Sequence, residues 1–307
     1  MEIIDRKNCE DKKLEPPATF PKRFSMNQKD VEFHSGNITL RGELYLPEGS
    51  SLPAITVCHG MHGQGFRWLP LYRSFAQLAV QRGFACLLFD FRGCGLSEGA
   101  FDYGWGEQED AKAAIQFLAR QEQVDASRSF VVGRSLGGTI ALSALVQDPR
   151  VKGFALWATP PDHYRNIKAF IEKENGRLIF LLFLIFSTID RVSDVTRLMK
   201  VKLWGLSLRP SYVRRKLMSL NGARLLAGKG HPPILLLIGD QDDYVTLDEA
   251  RRYDNSISER KRLIILPGTG HTFKGEEERV ASLTLDWFQE LLAFPLSGGQ
   301  GAPSKGS

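Results

Sequence analysis

The sequence predicts an α/β protein built on one mostly parallel sheet with helices on both faces. Three observations carry this. Wholly apolar runs such as "PAITVCHG", "FACLLFD" and "PPILLLIGD" recur along the chain, as strands buried on both faces require. Between them lie segments with apolar residues at helical spacing, for example "PLYRSFAQLAVQRG", which puts Leu71, Phe75, Leu78 and Ala79 on one face and ends at Gly83. The two patterns alternate over most of the 307 residues, which is the signature of strand-helix-strand units and leaves an all-β or helical-bundle reading without support.

In chain order, two alternating segments come first. "DVEFHSG" and "ITLRGELYLP", separated by Gly36 and Asn37, predict an antiparallel hairpin. The strand "PAITVCHG", the helix just described and the strand "FACLLFD" follow. The helix "EDAKAAIQFLARQ" then holds Ala111, Ala114, Ile115 and Leu118 in register, and leads to the strand "SFVVG", the small-residue helix "GGTIALSAL" and the strand "VKGFALWATP". After an interval come "PPILLLIGD", "KRLIILPG" and a closing helix "EERVASLTLDWFQELLAF". The interval, from about Pro161 to His231, breaks the alternation and has helical segments of its own, so it reads as a cap inserted in one loop. The division expected is an N-terminal segment over 1–20, a core over 21–160 and 232–294, the cap over 161–231, and a low-complexity flexible tail over 295–307. No internal repeat is present.

Bulk properties narrow the class. With 43% hydrophobic and 24% charged residues the chain reads as an ordinary globular protein. Its net charge of +5 is local: Arg197 to Leu217 holds seven Lys or Arg and no acid, so the remainder is slightly acidic and a general nucleic-acid partner is not expected. The run "LIFLLFLIF" is nine residues long, short of the roughly 18 to 20 that span a bilayer. Cys9, Cys58, Cys86 and Cys94 show no CxxC spacing, and "MEIIDRKNCEDKKLEPP" has no apolar stretch of the secretory kind. These features predict a cytoplasmic protein. No phosphate-binding glycine loop or metal-ligand cluster is seen, so neither cofactor nor metal is expected.

The chemistry starts at Gly133-Arg134-Ser135-Leu136-Gly137, a G-x-S-x-G match. Alone it is weak, but an apolar strand leads in and a small-residue helix leads out, the setting in which a strained turn exposes a nucleophilic serine. A serine hydroxyl needs a base. Of the six histidines, His271 in the glycine-bounded loop "LPGTGHTF" after the last strand is placed to swing over the sheet edge. His34, His163 and His231 are expected at the surface. The base needs an acid to hold its tautomer, and the loop "GDQDDYV" offers Asp240, Asp242 and Asp243.

The order Ser, Asp, His along the chain, together with these motifs, resembles the α/β-hydrolase superfamily, and most closely its esterase, cinnamoyl-esterase and serine-aminopeptidase-like branch. "GELYLP" resembles that branch's N-terminal strands, "CHGMHGQG" its HG-x-x-G loop and "FDFRGCGLSEG" its D-x-R-G-x-G-x-S segment. The resemblance covers nearly the whole chain. It implies Asp242 as the acid, standing three residues after Gly239 and three before Val245. It also implies an oxyanion hole from the backbone N–H groups of Met61 and Leu136. His59 is expected to organise its loop rather than act as base. Asp90, Arg92, Gly93, Gly95 and Ser97 are expected to form a structural loop. His62 is a candidate substrate-binding residue, with a solvated loop position as the alternative, and Trp204 in the cap is the other candidate.

The expectation is a cofactor-independent carboxylesterase acting on a small-molecule ester, with the cap shaping an acyl or aryl pocket. Its basic residues would draw an anionic substrate or a membrane surface, or lie on a solvated face. The rivals are a peptidase or acyl-thioesterase on the same triad, and a catalytically silent binding protein.

Overall fold

The computed structural model describes residues 27–169, 172, 181, 184–185, 201–203, 205–228 and 230–293. Strands β1 (Asn27–Ser35) and β2 (Ile38–Leu46) pair antiparallel from Ser35 opposite Ile38 to Asn27 opposite Leu46. Their two-residue turn fits because Gly36 takes a φ of +59°. From β2 the chain enters β3 (Leu52–Cys58), α1 (Pro70–Gln81), β4 (Ala85–Phe89), α2 (Gly106–Ala119), β5 (Val124–Arg134), α3 (Leu136–Leu145) and β6 (Val151–Trp157).

The main sheet has eight strands in the order β1-β2-β4-β3-β5-β6-β9-β10, where β9 is Ile234–Gly239 and β10 is Lys261–Leu266. From β4 to β10 every neighbouring pair is parallel, and β2, antiparallel to both β1 and β4, is the one strand of this sheet that runs against the others. This is the α/β-hydrolase fold. Period-two alternation divides each inner strand between two cores. Ala85, Leu87 and Phe89 of β4 face one side with Ile115 and Leu118 of α2 and Ile140 of α3, while Cys86 and Leu88 face the other with Phe75 of α1. The second core is closed by α7 (Glu277–Ala293), through Val280, Leu285 and Phe288. Cys58, Cys86 and Cys94 are free and buried in these cores.

Between β6 and β9, which pair directly, the chain leaves the sheet. It has helical backbone over 163–169, then α4 (Pro210–Arg215), a 3-10 turn at Leu217–Ser219 and α5 (Gly222–Leu226). The helical content expected of this interval is accompanied by a feature the sequence did not suggest. Strands β7 (Val201–Leu203) and β8 (Leu206–Leu208) form a small antiparallel hairpin. Gly205, at a φ of +77°, closes it in a conformation that L side chains rarely adopt. Of "LIFLLFLIF", positions 181, 184 and 185 are helical, with Leu184 packed on the core and Leu181 and Ile185 exposed. The rest of that run, the segment 1–20 and the tail over 295–307 lie outside the described residues. Among the described residues no helix is long and apolar enough to cross a membrane. Helix α6 (Leu247–Ser256) opens on a full capping box between Thr246 and Glu249.

Several contacts seat the inserted segment on the sheet's carboxyl edge. The Arg209 amide donates to the Tyr103 hydroxyl at 2.7 Å, the Trp105 indole to the Lys216 carbonyl at 3.2 Å, and Lys216 pairs with Asp102. At the hairpin turn two backbones meet without side chains: a β-carbon on Gly63 would stand 2.7 Å from the Gly205 carbonyl oxygen.

Candidate active site

The turn between β5 and α3 is one residue long, and that residue is Ser135, held at φ 51° and ψ −125°. Such a backbone is costly for a residue with a β-carbon, of order 1–3 kcal/mol, and persists only where its surroundings over-determine it. Here they do. The Ser135 amide donates to the Trp157 carbonyl at 2.8 Å, and its own carbonyl accepts from Gly138 at 3.1 Å. The flanking glycines are a steric necessity. A β-carbon on Gly133 would fall well under 3.0 Å from Gly138, and one on Gly137 would do the same to the carbonyls of Cys58 and His59. The side chain of Ser135 is thereby lifted off the sheet edge, at the amino end of α3.

The loops that follow β9 and β10 bring up the partners. Gly239 lets them cross, since a β-carbon there would overlap the Thr269 carbonyl. The crossing is fixed by the Gln241 amide donating to Thr269 at 3.0 Å and the Asp240 amide to Leu266 at 3.1 Å. His271 then lies with Nε2 3.2 Å from Ser135 Oγ, and with Nδ1 2.8 Å from Oδ2 and 3.0 Å from Oδ1 of Asp242. Oδ1 also accepts the amides of Tyr244 and Val245, each at 2.8 Å. With two amides and Nδ1 all directed at one carboxylate, Nδ1 carries the proton and Nε2 presents its lone pair to the serine. Asp240 and Asp243 are exposed, and the carboxylate bonded to His271 is that of the buried Asp242. Burial pushes the His271 imidazole below its ordinary range. The bond to Asp242 opposes this, and the charge of Arg134 adds to it.

On the other side of the serine runs the loop after β3. His59 donates from Nδ1 to the Gly60 carbonyl at 2.7 Å and accepts the Phe91 amide on Nε2 at 3.0 Å, so both ring nitrogens are spent on shaping the backbone. The Gly60 amide is bound to the Tyr72 hydroxyl at 3.1 Å. Gly60 lies so close that a β-carbon on it would stand 3.3 Å from Ser135 Cβ. The next residue, Met61, follows directly, and the Leu136 amide sits at the first position of α3, where no intrahelical acceptor exists. The two expected oxyanion donors thus flank one serine.

His62 does not stand alone in solvent. Its ring stacks on Trp68 at 4.4 Å and 15°, and its Nδ1 accepts the Gln64 amide at 3.2 Å. Trp204 lies outside the described residues. His163 and His231, expected at the surface, are buried. His163 Nε2 reaches Thr139 Oγ1 at 3.0 Å, and burial drives its pKa down to about 4. His231 bonds through Nδ1 to the Pro232 carbonyl at 2.8 Å. The surface expectation failed because each ring finds a partner inside the fold, His163 across the chain at Thr139 and His231 at the adjoining Pro232 carbonyl, which a sequence does not display. His34 is exposed as expected.

Asp90 is a structural hub. It accepts the amides of Phe66 and Leu96 and the Arg67 guanidinium, its carbonyl accepts Ser97 Oγ, and Arg92 pairs with Asp110. Among the described residues no three His, Cys, Asp or Glu side chains gather as a metal site.

One residue of the site had no assigned place in the sequence. Arg134, only 3% exposed, donates from Nη2 to the main-chain carbonyl of His271 at 2.9 Å and lies over the Trp68 ring at 5.4 Å. The available signal was an arginine at the end of the otherwise apolar run "FVVGRS".

Comparison with known proteins agrees with the geometry. The chain is 28% identical over 249 residues to the uncharacterised protein Rv2307c of Mycobacterium tuberculosis, covering 79% of this chain and 72% of that one. In fold it resembles the protein PA2218 of Pseudomonas aeruginosa, with a TM-score of 0.71, 22% identity and coverage of 88% and 95%. It also resembles the Pyrococcus furiosus esterase Pf2001, with a TM-score of 0.59, 19% identity and coverage of 92% and 96%. The family model described as serine aminopeptidase, S33, matches residues 50–278. That range spans Ser135, Asp242 and His271, and the chain belongs to this α/β-hydrolase family.

Proposed function

We propose that this α/β hydrolase cleaves carboxylic esters through an acyl-enzyme formed on Ser135. The observation that carries the reading is the 3.2 Å approach of Ser135 Oγ to His271 Nε2, whose other nitrogen is held at 2.8 Å by Asp242. In acylation, Nε2 takes the hydroxyl proton as Oγ bonds the ester carbon. The carbonyl oxygen gains the displaced electron pair and is met by the N–H groups of Leu136 and Met61. Collapse expels the alkoxide, which takes the proton from Nε2. Water then gives its proton to Nε2 and attacks the acyl carbon, releasing the acid and restoring the serine. Each donor is worth roughly 2.7–4 kcal/mol of transition-state stabilisation when it is fixed in advance.

The surroundings favour an ester over a peptide with a free amino terminus. An α-ammonium needs a carboxylate, and Asp242 is spent on His271 and two amides. Beside the base lies the cation Arg134, and residues 197 to 217 of the inserted segment contain no acid. That segment acts in this reading as the cap. Leu206, Leu208 and Leu220 share one apolar cluster with Leu136 and Met61, which suits an acyl chain. Its basic residues attract an anionic group on the substrate or an anionic membrane surface. The buried free thiols suit a reducing cytoplasm.

A panel of p-nitrophenyl esters, acyl-thioesters and aminoacyl amides, with Ser135→Ala as blank, tests the reading, alongside labelling by a fluorophosphonate. Ester turnover and labelling abolished in the variant are expected. A folded wild type that neither labels nor turns over any ester would defeat the reading, and preference for the amides would move it to peptidase chemistry.

A further inference from the structure

Arg134 is a buried cation. Its Nε is buried and unbonded, and among the described residues no carboxylate pairs with it. A lone buried charge is expensive, and an apolar residue of similar volume would serve the fold better. What surrounds the guanidinium is the catalytic apparatus. Nη2 is bonded to the His271 carbonyl at 2.9 Å, the flat face lies over Trp68, and Nη1 packs where a β-carbon on Gly60 would come within 2.9 Å. Two connections, the loop bearing the base and the β3–α1 connection that carries both the expected oxyanion donor and Trp68, therefore converge on a side chain whose own backbone precedes the nucleophile.

We propose that Arg134 is a positioning residue acting through His271: it ties the base-bearing loop to the strand that carries Ser135 and sets a fixed positive charge beside the imidazole. This rests on the reading of His271 as the base. The groups facing that imidazole are Asp242 from the loop after β9, the Tyr244 ring at 4.9 Å from the same loop, Ser135 from the elbow and Arg134 from β5. Asp242 is the only anion among them and Arg134 the only cation. A cation there disfavours the imidazolium, so its removal raises the pH at which the ring takes a proton. Tyr72, His59 and His62 are the other titratable neighbours of the guanidinium; the first two are buried, and all three are already bound, Tyr72 to the Gly60 amide, His59 at both ring nitrogens and His62 through Nδ1 to the Gln64 amide.

The test compares wild type with Arg134→Gln and Arg134→Lys by two readouts. The titration midpoint of His271, followed by NMR on histidine-labelled protein, is expected to rise by about one pH unit in Arg134→Gln and to stay near wild type in Arg134→Lys. The acid limb of kcat/KM on a neutral p-nitrophenyl ester should move with it. In Arg134→Lys, which keeps the charge but lacks the planar fork, kcat should fall about tenfold. A kcat lowered equally at every pH with an unmoved midpoint would reduce Arg134 to packing and overturn the proposal. Should Arg134→Gln not fold, Arg134→Lys turning over like wild type would overturn it alone. The NMR midpoint needs no turnover, so a shifted midpoint in a protein that hydrolyses no ester would fault the esterase reading and leave the placement of Arg134 standing.

Discussion

Gly137 is pressed against the backbone of His59, with no room for a single added carbon between them. The helix that starts beside the nucleophile and the strand end that starts the oxyanion loop are therefore in direct main-chain contact. In the proposed mechanism, the spacing of the Met61 and Leu136 amides depends on that contact.

Gly137→Ala should force the two apart. Overpacking against backbone costs roughly 1–3 kcal/mol, and the displaced amides lose alignment with the carbonyl oxygen. A drop in kcat/KM of about a hundredfold or more is expected, with a lower Tm, by steady-state kinetics and thermal unfolding. Unchanged kinetics would show that the contact does not govern the spacing.

The pH profile follows from His271. Only the neutral ring accepts the serine proton, and burial holds its pKa below the ordinary value of about 6.5. Activity should therefore persist below that pH and fall only as the pH passes down through the lowered pKa. An acid limb in kcat/KM at or above about 6.5 would contradict the burial argument. Asp242→Asn, which reverses the tautomer preference, should lower kcat about ten-thousandfold.

Acid stability should depend on Glu43. This carboxylate, 3% exposed on β2, accepts Arg73 at 2.6 Å, the Tyr45 hydroxyl at 2.7 Å and Arg67 at 3.2 Å. Burial pushes its pKa up, but the bonds from Arg73 and Tyr45 and the charges of Arg73 and Arg67 outweigh it, leaving the group below its usual range. A depressed folded pKa gives stability that is complete above the unfolded value, near 4.3, and is lost as pH falls through the folded one. Glu43→Gln should lose about 2 kcal/mol at pH 7, a figure discounted because Arg73 is 44% exposed. The gap to wild type in urea unfolding should narrow below about pH 4. A constant gap would mean that shape, not charge, is what Glu43 supplies.

The basic segment makes a substrate prediction. Arg215 and Lys216 lie over the Tyr212 ring at 5.1 and 5.5 Å, and Arg214 donates to the Leu184 carbonyl. Neutralising Arg214 and Arg215 as glutamines, and leaving Lys216 to its Asp102 partner, should raise KM for anionic esters several-fold at low salt and leave neutral esters unaffected. Equal effects on both would remove charge from the account of recognition.

The sheet and the Ser135, Asp242 and His271 constellation were legible because they obey local rules. Period and glycine placement mark the strands and the elbow, and chain order marks the superfamily. Arg134 was not legible, since its meaning lies in a bond to a carbonyl 137 residues away. The β7–β8 hairpin escaped for a different reason: strands of three residues carry too short a pattern to separate from a loop. His163 shows the same limit from the side of burial, its ring matched to Thr139 by tertiary contact alone.

The meeting of Gly63 with Gly205 joins the inserted hairpin directly to the loop after β3. Side chains can absorb a small displacement by changing rotamer, but two bare main chains have no such slack. In the proposed reading, with the inserted segment as cap, a substrate that shifts the hairpin turn shifts the loop carrying Met61 as well, and the turn registers the shape of what it covers. A well-fitting acyl group would then announce itself in kcat more than in KM, with affinity converted into alignment at the reacting carbon.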